Sequence, residues 1–215
     1  AVNTVRILHF NKYDFGGAAN GALRVHRSLL GEGIDSIFCT SVKSDDDDTK
    51  IVVRTDLLYK LKSKLNTALL KNIFKKNNRS FFTTGFFSYK FDQIIEAISP
   101  DIIQLHWVAD NFFSINALEK LKKYNIPISW TIRDTWPITG GCHFFGDCQA
   151  WKNQCNHCPC FDRQMRFDLC RYQWIKKMHA YKQLRPHIVA LSKQFCAVIQ
   201  DSPLLNSFSL SQIPN

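Results

Sequence analysis

The chain has 215 residues, 45% of them hydrophobic and 21% charged, which is the balance of an ordinary globular protein long enough to bury a core without covalent staples. Lys and Arg number 28 against 18 Asp and Glu, a formal charge of +10 that favours anionic partners through long-range attraction. This composition excludes disorder. No zinc-finger spacing, aromatic RNA-binding signature or heptad zipper accompanies the charge, so nucleic acid is not the expected partner. No run approaches the ~18 consecutive apolar residues of a membrane span. The expectation is a cytoplasmic chain that touches a membrane only from its surface.

Val2 to Phe10 reads as a strand rather than a secretory leader, since the basic start and longer apolar run are missing. Gly16-Gly17-Ala18-Ala19 follows, then apolar residues at helical spacing through Leu30, with Gly31-Glu32-Gly33 as the stop. Asp35–Thr40 predicts a second strand, and Asp45 to Asp48 an acidic, solvated turn. From Asp56 to Lys76 the pattern is a basic helix. Leu57, Leu61, Leu65, Leu69 and Ile73 recur every fourth residue, Lys60, Lys64 and Lys71 lie on another face, and Lys62 interrupts the apolar arc. Such a helix suits either an anionic bilayer or plain solvent. The aromatic segment Phe81 to Phe87 fits no element.

Strand–helix alternation then resumes. Asp101–Trp107 predicts a strand, Ser114–Tyr124 a helix, Pro127–Thr131 a strand, Trp174–Leu184 a helix, His187–Leu191 a strand and Lys193–Gln200 a helix. A Cys-rich loop from Thr135 to Cys170 interrupts the series. The fold class is therefore α/β, a Rossmann-like parallel sheet with helices on both faces and one insertion, forming a single domain over residues 1–215. Ligands of such sheets bind beyond the C-terminal ends of the strands. The Gly16-Gly17 turn, His106 and the pair Arg133-Asp134 all fall at predicted strand ends.

Each group has a functional and a plain reading. Gly16 and Gly17 let backbone N–H groups approach a phosphate or sugar oxygen, or they merely form a tight turn. His106 is a base or donor to a sugar hydroxyl, or a buried structural histidine. Arg133 and Asp134 orient a hydroxyl, or form a salt bridge at the sheet edge. Cys142, Cys148, Cys155, Cys158, Cys160 and Cys170 include one C-x2-C step suited to a structural zinc, with His143 and His157 as substitute ligands. Disulfides and packed free thiols are the alternatives. A catalytic metal is not expected, because four thiolates leave no open position.

Several of these stretches resemble family 4 glycosyltransferases. Val5 to Phe10, Gly16 to Ala19 and Leu23 to Leu29 are similar to that family's opening, and Asp101 to Trp107 looks like its strand ending in an active-site histidine. Trp130 to His143, with Gly146-Asp147-Cys148, Cys155 and Cys158-Pro159, resembles a branch of bacterial polysaccharide biosynthesis that carries a Cys-rich loop. His187 to Ser192 and Ile213-Pro214-Asn215 match the last N-domain strand and the lead-in to a second domain. The resemblance implies the N-terminal half of a GT-B fold and a retaining hexosyltransferase that uses a nucleotide-sugar donor and a glycan or lipid-linked acceptor without a catalytic metal. His106 would contact the transferred sugar, and Gly16 and Gly17 the donor diphosphate or the acceptor. Arg133 stands where relatives often carry His, and a guanidinium cannot perform an imidazole's proton chemistry. The donor-binding half would lie beyond Asn215, so this chain alone is expected to be inactive. A non-catalytic sugar- or partner-binding module is the alternative.

Overall fold

A computed structural model describes residues 4–53, 82–159 and 168–214, together with 57, 59–61, 63–65 and 68. The expectations for Cys160, Phe81, Lys62, Leu69, Lys71 and Ile73 lie outside the described residues. Seven parallel strands form one sheet: β1 (Arg6–Phe10), β2 (Asp35–Thr40), β3 (Lys50–Val52), β4 (Ile102–Leu105), β5 (Ile128–Thr131), β6 (His187–Ala190) and β7 (Leu210–Gln212). Their order is β3-β2-β1-β4-β5-β6-β7. Among the described residues, the α-helices with both ends defined are α1 (Gly17–Gly31), α2 (Asp92–Ile98), α3 (Ile115–Lys120), α4 (Leu169–Leu184) and α5 (Lys193–Gln200). The α/β Rossmann-like class read from the alternation is the one observed.

The strands are short apolar runs because both faces are covered. Leu8, Phe10, Ile103, Leu105, Trp130 and Ile188 are fully buried, and the core continues through Phe112, Phe113 and Trp136. Side-chain caps start α3, α4 and α5. Ser114, Asp168 and Ser192 accept bonds from Ala117, Arg171 and Phe195 backbone N–H groups respectively, each satisfying a donor the first turn leaves open.

Three corrections concern boundaries. Helix α4 starts at Leu169, not Trp174, so Cys170 belongs to its first turn and not to the Cys-rich loop. The stretch after α3 tightens into a 3-10 turn over Leu121–Tyr124. The acidic loop is more than a solvated turn: Asp45 and Asp14 both pair with the buried Lys50, the first residue of β3.

The aromatic segment that fits no element is a strap. Phe82 bridges Cys142 in antiparallel fashion, and the Thr83 N–H donates to the Gly141 carbonyl at 2.9 Å. Gly141, at φ 148°, leaves room for the Phe82 ring, which a Cβ there would meet at 2.4 Å.

Candidate functional site

Strand order reverses at β1: the chain runs outward through β2 and β3, then returns to place β4 on the other side of β1. Such a switch point opens a crevice beyond the strand ends, because the two following loops turn in opposite directions. Here the loops are stitched together. The His106 N–H donates to the Phe10 carbonyl at 3.0 Å, the Lys12 N–H to the Trp107 carbonyl at 2.9 Å, and the Trp107 N–H to Asn11 Oδ1 at 2.9 Å.

Gly16 closes the β1 loop at φ 87°, a conformation that favours glycine, and α1 begins at Gly17 with no side-chain cap. A Cβ at either position would meet nothing within 4 Å, so the N-terminus of α1 stays open. Beside it runs a row of rings that the sequence reading missed. Phe15 lies 5.1 Å from Tyr13, Tyr13 lies 5.7 Å from Trp107, and Trp107 lies 5.6 Å from His143. Phe15 is 57% exposed at the outer end. Tyr13 is pinned by its hydroxyl, which donates to Asp110 Oδ2 at 3.0 Å, while Lys12 pairs with the same carboxylate. Aromatic residues directly after a strand end, at a loop that glycines keep open, were the available signal.

His106 is only 2% exposed, and both its ring nitrogens face protein groups. Arg133 Nε and Nη2 each lie 3.4 Å from Nδ1, and a guanidinium can only donate, so Nδ1 is the acceptor. The proton therefore sits on Nε2, which faces His9 Nδ1 at 3.0 Å. His9 in turn carries its proton on Nε2, a buried atom with no hydrogen-bond partner among the described groups. Burial, then the nearby His26, pushes His9 down to about 3. Burial, then His9 and Arg133, lowers His106 well below the ordinary imidazole range. The pair is neutral near pH 7. Burial also lowers Arg133, to about 10, so it remains a cation.

Asp134 does not pair with Arg133. Its Oδ2 accepts from Trp107 Nε1 and His143 Nδ1, and its Oδ1 from the Trp136 N–H at 3.0 Å. His143 Nε2 then accepts from the Thr83 hydroxyl at 2.7 Å, so His143 is engaged on both nitrogens. A metal-ligand role for His143 would break one of these bonds. Below this network, buried Lys177 donates to the Trp136 and Thr139 carbonyls and lies 3.6 Å from the Trp136 ring centroid. Gly16 and Gly17 stand open at the N-terminus of α1, Arg133 is half-buried against His106, and His106 and Asp134 are engaged by protein groups.

The Cys-rich loop forms a separate layer. Cys142, Cys148, Cys155, Cys158 and Cys170 ring one cavity of about 30 Å³, closed on one side by Trp151. Among the described residues no disulfide is present, and no three His, Cys, Asp or Glu side chains already stand in a metal-holding arrangement.

The described positions between 57 and 68 are helical. Tyr59 donates to the Asn111 carbonyl at 2.7 Å, and Asn111 Nδ2 to Ser63 Oγ at 3.3 Å, so the polar side is anchored. Leu57, Leu61 and Leu65 face outward at 83%, 65% and 60% exposure. No helix among the described residues is long and apolar enough to cross a membrane.

No family model matches the chain. It is similar to the "Putative colanic acid biosynthesis glycosyl transferase WcaC" of Escherichia coli (strain K12), with 25% identity over 203 residues. The match covers 91% of this chain and 49% of that protein, so the chain spans about half the length of the curated relative.

Proposed function

We propose that this chain is the acceptor-side, Rossmann-like N-terminal domain of a retaining glycosyltransferase of the GT-B kind. It moves a hexose from a nucleotide-sugar to a sugar or lipid-linked acceptor during surface polysaccharide synthesis. The similarity to a glycosyl transferase along 91% of the chain carries the reading. The site geometry supports it at the level of chemistry. The open N-terminus of α1 offers unshared N–H groups and a positive dipole end to a diphosphate or hydroxyl oxygen. The Phe15–Tyr13–Trp107 row offers flat, partly negative faces to the C–H side of a sugar ring. Arg133 presents a planar cation to a hydroxyl or phosphate oxygen, held by the neutral histidine behind it. These groups bind and orient; the donor half of the enzyme supplies the charge that stabilises the leaving diphosphate. The exposed leucines with Lys60 and Lys64 support a peripheral position on an anionic bilayer, where a lipid-linked acceptor resides.

One observation favours a second reading, a non-catalytic sugar-binding module: at 2% exposure His106 cannot touch substrate without rearrangement. The assay that separates the two uses the whole polypeptide its gene encodes, a panel of nucleotide-sugars and extracted lipid acceptors. Acceptor-dependent release of nucleoside diphosphate, reduced at least tenfold in Arg133→Ala, is the expected result. Acceptor binding with no release from any donor establishes the module instead.

A further inference from the structure

The thiols have no part in the reading above, and they are not placed as bystanders. Five of the seven described cysteines line one cavity, while Cys39 and Cys196 lie elsewhere. The cavity of about 30 Å³ is roomy enough for a water-sized occupant such as a single ion. The backbone around it is held in an unfavourable shape. Gln154, Cys155 and His157 take φ of 60°, 53° and 51°, a left-handed conformation that costs of order 1 kcal/mol or more per non-glycine residue unless the surroundings impose it. The loop contains only two 3-10 turns, Trp136–Ile138 and Ala150–Lys152, and no disulfide among its described residues. Backbone strain at a C-x2-C turn with no covalent staple calls for another source of order.

We propose that this cavity is a structural zinc site in which Cys148, Cys155 and Cys158 supply three thiolates and Cys142 or Cys170, which flank them, supplies the fourth. The thiols ring the cavity without yet converging, and side-chain rotation brings sulfur to the ~2.3 Å that zinc requires. Binding Zn²⁺ releases four thiol protons and leaves a tetrahedral unit of charge −2. Two features fit that charge. The Gly140 N–H already donates to Cys155 Sγ at 3.1 Å, the kind of outer hydrogen bond that orients a thiolate ligand. Lys177 is a buried amine within electrostatic reach of Cys142, Cys155 and Cys170. With four sulfurs bound the metal has no open position, so its role is to hold the loop. That loop carries His143, and His143 holds Asp134; the metal thereby fixes the floor of the crevice. The inference is independent of the transferase reading.

The test uses the whole polypeptide, purified under reducing conditions without chelator and analysed for metals. One zinc per chain is expected, and cobalt substitution should give the sulfur-to-cobalt charge-transfer and tetrahedral d–d bands. Cys155→Ser and Cys158→Ser should each lose the metal, Cys39→Ser and Cys196→Ser should keep it, and comparison of Cys142→Ser with Cys170→Ser identifies the fourth ligand. Where a variant fails to fold, mercurial titration of the wild type answers the same question, since zinc should leave as four thiols react. Wild-type protein with no stoichiometric zinc and fully reactive thiols overturns the proposal, as does iron accompanied by acid-labile sulfide.

Discussion

The β1/β4 seam and the Cys-rich loop both hold polar side chains away from water, by opposite means. In the seam, regular strands place His9 and His106 side by side, each ring is kept neutral chiefly by burial, and its hydrogen bonds fix the tautomer. In the loop, regular structure is absent, and tight packing does the work. A Cβ on Gly140 would sit 2.5 Å from the Cys170 carbonyl oxygen, and Gln173 and Lys177 reach from α4 to bond the carbonyls of Gly140, Trp136 and Thr139. The seam therefore tolerates change in its exposed loops, whereas the loop transmits any change to α4. Gly140→Ala should show the difference most strongly. The clash is with backbone, which cannot rotate away, so the variant should lose about 3 kcal/mol. Urea unfolding followed by tryptophan fluorescence measures it; a midpoint equal to wild type would break the contrast.

The seam's weakness is acid. His9 is neutral when folded, with a pKa of about 3, but protonates near 6.5 once unfolded. Between those values the unfolded state binds more protons, so stability falls as pH drops from 6.5 towards 3. At about pH 5 the loss from this one ring is about 2 kcal/mol, and His106 shifts in the same direction. His9→Asn should flatten the dependence of the urea midpoint on pH. A variant that keeps the full wild-type slope would place the acid sensitivity elsewhere.

The same contrast explains what was legible beforehand. Seam strands are apolar runs ended by polar residues, so β2 and α5 were found at their observed ends and β1, β4, β5 and β6 to within a few residues. The three-residue strands Lys50–Val52 and Leu210–Gln212 carry too little pattern to read, and depend on pairing with β2 and β6. Helix α2 was missed because its seven residues show less than two turns of periodicity. At the site, Gly16 and Gly17 follow β1 and Arg133 follows β5, the strand ends at which their residue types were read. Of the two readings of His106, the buried one holds, and what decides it is His9 across the sheet, a pairing the sequence does not show. The strap of Phe82 and Thr83 was invisible for a similar reason: its partners are some 60 residues away in sequence.

Two adjacent glycines test whether the seam's exposed loop serves binding. Gly16→Ala forces a side chain into φ 87°, ψ 173°, a region essentially reserved for glycine, and should cost about 1–3 kcal/mol. Gly17→Ala meets no atom and improves helix propensity, so its stability should rise by a few tenths of a kcal/mol, ~0.5 at most. Both methyl groups point into the open approach to α1, so both variants should transfer sugar more slowly in the whole enzyme. Gly17→Ala, stable but impaired, would separate binding from folding; full activity would show that the open helix end is not used.

The smallest effect on stability belongs to a region ordered by neither device. The helix between 57 and 68 is tied to the body through Tyr59 and Ser63, while Leu61 is 65% exposed and contributes little burial. Leu61→Asp should therefore change stability by less than about 0.5 kcal/mol. Its effect on anionic vesicles should be large, because it removes an apolar contact and sets a negative charge between Lys60 and Lys64, each worth about 1 kcal/mol near such a surface. Co-sedimentation should show wild-type protein on anionic vesicles in preference to zwitterionic ones, with the variant left in the supernatant. Equal behaviour of the two proteins would make the leucine edge an ordinary solvated face, despite the three leucines aligned there. Loss of vesicle binding at unchanged stability would instead show that its exposure serves the membrane, since nothing in the fold needs it.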